Sequence, residues 1–180
     1  MSQIKVNSII PVSGVPTGGG GGIIQVKQTQ VLTSSSTTSQ SFGDTALVAT
    51  ITPTSATSKI LCMVKLQLGG AHPSSAIFKL VRVSSGGTSE NIAYSTESTN
   101  QPGFYQTYMN ESGAGMGIYG LITVGVDSLD TAIDANEHTY KVQWRRHQGT
   151  IYLNRTGYST TTTDYAGTGC STITLIEVSA

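Results

Sequence analysis

The chain has 180 residues, only 11% of them charged, and its ten Lys and Arg balance ten Asp and Glu. That balance leaves no net field to draw the protein to nucleic acid or to an acidic membrane surface, so neither is expected as a partner. Ser (22) and Thr (26) together exceed a quarter of the residues and Gly adds 21, a composition of short strands and tight turns rather than of long amphipathic helices.

The chain opens with an apolar-alternating peptide, Ile4-Lys5-Val6-Asn7-Ser8-Ile9-Ile10-Pro11, followed by a glycine run, Gly18 to Gly22. Glycine runs lose too much entropy to sit inside a helix or strand, so this one reads as a linker between two pieces with different tasks. The opening lacks the apolar core and preceding basic cluster of a secretion signal, and no stretch is apolar for the length of a membrane span. The expectation is a soluble protein with an arm and linker over 1–22 and one domain over 23–180.

Beyond the glycines, period-two patterns alternate with turn chemistry. Strands are predicted over 23–32 and 46–51, then over 59–68, where Ile60, Cys62, Val64, Leu66 and Leu68 share one face. Gly69-Gly70-Ala71-His72-Pro73 is expected to break that strand. Further strands are predicted over 77–83, 91–94, 104–109, 117–126, 138–144, 150–153 and 172–178. Over 138–144 the alternation is sharp, with Tyr140, Val142 and Trp144 on one side. Short strands without credible helices between them predict antiparallel pairing, because parallel pairing needs long crossovers. The predicted fold is an all-β antiparallel jelly-roll sandwich.

Two strands are apolar on both faces. Leu61 and Met63 oppose the Ile60 face, and Tyr119 and Leu121 oppose Ile118, Ile122 and Val124. A sandwich strand with one neighbouring layer should be polar outside, so Leu61, Met63, Tyr119 and Leu121 are expected to meet another subunit, or else a covering loop.

Residues able to carry chemistry are scattered. Asp127, Asp130, Asp134 and Glu137 fall in one expected loop, yet their spacing matches no calcium-binding loop, and a solvated acidic turn is the expectation. His72, His138 and His147 lack metal-ligand spacing. No nucleophile elbow, phosphate-binding loop or dinucleotide fingerprint occurs. Asn110-Glu111-Ser112 and Asn154-Arg155-Thr156 match the glycosylation pattern but read as chance matches. Cys62 and Cys170 are expected to be free thiols, with a disulfide as the alternative. No catalytic residue, cofactor or metal is expected. One cluster, Arg145 and Arg146 with Tyr152, Arg155 and Tyr158 across the adjoining turn, mixes aromatic faces with planar donors and is a candidate surface contact. Trp144 beside it reads as a core anchor.

The segment Gly22-Ile23-Ile24-Gln25-Val26-Lys27-Gln28-Thr29-Gln30, then Ala49-Thr50-Ile51-Thr52-Pro53-Thr54-Ser55-Ala56-Thr57-Ser58-Lys59-Ile60-Leu61, resembles the start of a jelly-roll module frequent in tailed-phage fibre, head-fibre and decoration proteins. Thr139-Tyr140-Lys141-Val142-Gln143, Gly149-Thr150-Ile151-Tyr152-Leu153-Asn154 and Ser171-Thr172-Ile173-Thr174-Leu175-Ile176-Glu177-Val178 resemble its last three strands. Ile4-Lys5-Val6-Asn7-Ser8-Ile9 is similar to the N-terminus of small virion proteins of marine and cyanobacterial phages. The resemblance implies a homotrimeric, non-enzymatic virion protein akin to the tumour-necrosis-factor-like jelly roll. It would be assembled in the host cytoplasm and displayed on the virion surface as a capsid decoration or head fibre. Ile4, Val6, Ile9 and Ile10 would then dock the arm on another virion protein, a major capsid or tail protein. The alternative it implies is a short tail fibre whose knob binds a host surface glycan and serves host attachment.

Overall fold

The computed structural model describes residues 22–70, 73–95, 103–107, 119–158 and 167–178. The predicted arm, with Ile4, Val6, Ile9 and Ile10, lies outside the described residues. Eleven strands follow in chain order: β1 (Ile23–Val31), β2 (Ser35–Thr37), β3 (Gly43–Ile51), β4 (Lys59–Gly70), β5 (Ser75–Val83), β6 (Ser89–Ala93), β7 (Tyr105–Gln106), β8 (Ile122–Thr131), β9 (His138–Gln148), β10 (Ile151–Leu153) and β11 (Ser171–Val178).

These strands fill eight lanes, because several are broken in two. β11 pairs with β4 over Lys59–Lys65 and β10 pairs with the same side of β4 over Leu68–Gly70, so β10 and β11 lie end to end. β1 and β2 flank them in the same way. β6 and β7 likewise share one side of β5. The first sheet runs β1-β11-β4-β8 and the second β3-β9-β5-β6, and every pairing is antiparallel. Apart from the β5–β6 hairpin, each step from one lane to the next crosses between the sheets, which is the jelly-roll winding.

Alternation accounts for the core. Along β4, Ile60, Cys62, Val64, Leu66 and Leu68 all point inward and are buried. On the neighbouring lane Ile173 stands opposite Val64 and Leu175 opposite Cys62, and both are buried as well. The second sheet supplies Phe78 and Leu80 from β5 and Tyr140, Val142 and Trp144 from β9, so the two inner faces close on one hydrophobic core. Trp144 is the anchor expected of it, with its ring centroid 6.3 Å from that of Phe78.

Two predicted boundaries are corrected. β4 does not stop at Gly69 but continues through Gly70. The strand does end within the expected Gly69–Pro73 segment, but Gly69 itself serves close approach, since a Cβ there would collide with the Arg155 carbonyl oxygen. Of the strand expected over 117–126, residues 117 and 118 lie outside the described residues and 119–121 are not strand; β8 starts at Ile122 and runs to Thr131, through two of the acidic residues expected in a loop. Gly149 turns β9 into β10 at a φ of 63°, where an L side chain would also strike the Pro73 carbonyl oxygen.

Candidate functional site

On the outer face of the first sheet one half is left uncovered by the described residues. Its cross-strand register places Val26, Ile176, Leu61 and Leu129 side by side, one residue from each of β1, β11, β4 and β8. Ile23 and Val178 flank this row on one side and Met63 on the other. Leu129 is 61% exposed and Val26 53%, while Leu61 and Ile176 are half-buried between them. Contiguity across four strands sets this row apart from the singly exposed apolar residues that any surface carries.

The other half of the same face is covered by the chain itself. A Cβ at Gly169 would lie 2.7 Å from the Gln67 Cβ and 3.3 Å from Leu121 Cδ1, so the approach to β11 runs directly over β4 and against Leu121. Tyr119 packs on Tyr158, with ring centroids 5.0 Å apart. The four residues expected at a subunit contact therefore fall in two places. Leu61 and Met63 belong to the open apolar row, and Tyr119 and Leu121 to the segment over the other half, where Leu121 is half-buried and Tyr119 stays 53% exposed.

The aromatic and arginine cluster is likewise divided. Arg145 points from the outer face of the second sheet, where its guanidinium carbon lies 5.3 Å from the Phe42 ring centroid and Lys79 Nζ lies 4.5 Å from it. Arg146 pairs with buried Ala76 and donates its backbone N–H to the Ser39 carbonyl oxygen at 2.6 Å. Tyr152 lies on the first sheet, with the Arg155 guanidinium 3.8 Å above its ring. Adjacency across the β9–β10 turn suggests one platform, but that turn carries the chain from one sheet to the other.

The acidic residues do not converge either. Asp127 faces outward beside Met63, while Asp130 faces inward, where its Oδ2 accepts from Arg82 Nη1 at 2.6 Å and from Tyr140 Oη at 2.7 Å. Glu90 of β6 pairs with the other side of the same guanidinium. Burial lowers the Arg82 pKa, but Asp130 and Glu90 outweigh it and the guanidinium is held above its usual range. Burial and the Asp130 bond push the Tyr140 hydroxyl upward. Asp134 accepts from the Asn136 N–H at 2.8 Å and lies 3.2 Å from the Nε2 of buried His138. Among the described residues no group of His, Cys, Asp and Glu is arranged to hold a metal ion.

Glu177 is visible in the sequence only as a terminal acidic residue. In the fold it is fully buried, and Oε1 accepts from the Thr54 N–H and hydroxyl at 2.7 Å each while Oε2 accepts from Gln25 Nε2 at 2.6 Å. Burial raises its pKa, but bonds from Ser58, Gln25 and Thr54 outweigh burial and hold the carboxyl below its ordinary value. The Thr52–Ser58 turn and the acidic end of the last strand are thus one structural unit.

Asn154 adopts a φ of 61° and donates Nδ2 to the carbonyl oxygens of Val31 at 2.7 Å and Thr33 at 3.1 Å. A side-chain nitrogen buried in that way is no glycan acceptor. Cys62 and Cys170 are both free thiols.

Sequence reasoning missed Val26, Ile176 and Leu129 of the open row. The signal is present for Leu129, which alternates outward as soon as β8 is extended through Asp130. No protein-family model matches this chain, and no curated protein matches it in sequence.

Proposed function

We propose that this chain is a non-enzymatic, homotrimeric virion structural protein, a capsid decoration or head-fibre component held to the particle by its N-terminal arm. The observation that carries this reading is the contrast between two kinds of residue. The inward carboxylates Asp130 and Glu177 are engaged in internal hydrogen bonds, whereas none of the described residues covers the apolar row on the first sheet. A domain built in this way offers surface for assembly. The arm adds the second contact: three copies of a weak docking segment on one trimer multiply its affinity through effective concentration. Major capsid or tail proteins are the partners of the arm, with no nucleic acid and no membrane insertion.

A second reading, a short tail fibre whose knob binds host glycan, draws on the Arg155–Tyr152 stack and the Tyr119–Tyr158 pair, which present ring faces of the kind that sugars pack on. Antibody labelling of intact virions tests the two. Label distributed over the capsid supports the decoration reading, label at the tail tip supports the fibre, and absence of the protein from purified particles contradicts both.

A further inference from the structure

We infer that the outer face of the second sheet binds an acidic sugar, its carboxylate held by Lys79 and Arg145 beside the Phe42 ring and its ring seated in the adjoining hollow over Ile77. Such a face would serve a decoration protein and a fibre alike, so the inference rests on neither reading above. The hollow has a volume of about 150 Å³ and is lined by Ile77, Gly103, Phe104, Tyr105 and Gln106. That is below the ~300–1,000 Å³ of pockets for larger ligands and suits a single sugar ring. Tyr105 is 38% exposed at its rim, and Gln106 faces outward in register with Ile77, offering an amide to sugar hydroxyls.

Charge identifies the ligand as an acid. In the β5–β9 register Arg145 stands opposite Ile77 and Gln143 opposite Lys79, so the two cations are diagonal neighbours on one face. Like charges so placed oppose each other. Both nevertheless approach the same Phe42 ring, Lys79 Nζ at 4.5 Å and the Arg145 guanidinium carbon at 5.3 Å from its centroid. Asp44, the carboxylate whose charge reaches Lys79, is already engaged, Oδ2 accepting from Lys141 Nζ at 2.8 Å and Oδ1 from Gln143 Nε2 at 2.6 Å. Lys79 Nζ has no hydrogen-bond or salt-bridge partner among the described residues. Burial lowers its pKa and Asp44 offsets that only in part, so the ammonium is short of both water and a counter-ion. A carboxylate supplies the counter-ion, and the planar guanidinium gives it directional donors. A bare anion would leave the hollow unused, whereas a sugar acid fills both.

The experiment titrates the full chain with trigalacturonate and with sialyllactose, following backbone amide shifts by nuclear magnetic resonance. The methyl ester of trigalacturonate, which keeps the shape and loses the charge, is the comparison. Saturable binding of an acid is expected, with shifts centred on β5 and residues 103–106. Binding of the ester should be roughly tenfold weaker, and Lys79→Met and Arg145→Met should each lose about as much, since each removes one charge-assisted contact. Lys65→Met, the same change on the first sheet, should bind as the wild type does. No saturable binding of either acid, an ester that binds equally well, or shifts confined to other residues overturns the inference, and none of these readouts depends on a variant folding. Acetate binding as tightly as the acids would mark a bare anion site and overturn the sugar.

Discussion

Asp130 on β8 and Arg82 on β5 form a 2.6 Å ion pair that ties the edge lane of the first sheet to an inner lane of the second. Tyr140 donates to the same carboxylate oxygen, and Arg82 also donates to the Thr131 carbonyl oxygen at 3.0 Å. Removing one partner of a buried pair leaves the other charge uncompensated. Arg82→Met should therefore cost about 3–5 kcal/mol in urea unfolding. Replacing both residues, Arg82→Met with Asp130→Leu, should recover part of that loss, because no lone charge then remains inside.

Glu177 makes stability depend on pH in a defined direction. Its pKa is lowered in the folded state. A depressed carboxyl stabilises above the unfolded-state value of about 4.3 and loses that contribution as pH falls through the folded value. Glu177→Gln should cost about 1–3 kcal/mol at pH 7, since Thr54 and Gln25 lose a charged acceptor. Thermal unfolding of the two proteins should differ most near neutrality and converge below about pH 4.

The thiols should separate by reactivity. Cys62 points into the core between Leu175 and Ser128 in register, and burial, with help from Asp130 and Asp127, pushes its pKa up to about 12. Cys170 is only half-buried, its Sγ accepting from Gln30 Nε2 at 2.8 Å. A thiol reagent should modify Cys170 in the native protein and reach Cys62 only after denaturant is added. Equal rates for both would mean that β4 is not packed as described.

Legibility in the sequence follows where each residue's partner lies. The lanes β4, β9 and β11 are readable because Ile60, Val142 and Ile173 repeat at the strand period, which is local information. The jelly-roll winding follows from the number of strands and their turn chemistry. The predicted β8 is cut short because Asp127 and Asp130 look like turn residues, and what admits Asp130 to a strand, an arginine 48 positions earlier on another sheet, is not local. The supposed arginine platform fails for the same reason. Arg145 and Tyr152 are near in sequence, yet the β9–β10 turn sends them to different sheets.

The proposed division of labour gives attachment to Ile4, Val6, Ile9 and Ile10 in the arm and assembly to the knob. It is tested most directly by a decoration assay on particles lacking the protein, comparing the full chain with a form deleted for residues 1–16. The deleted form should stay folded and keep its oligomeric mass but no longer bind the particle. Ile9→Ser and Ile10→Ser together should cause most of the loss, at ~1.5–3 kcal/mol for each side chain buried on docking. Normal decoration by the deleted form would contradict the arm's role and move attachment to the knob.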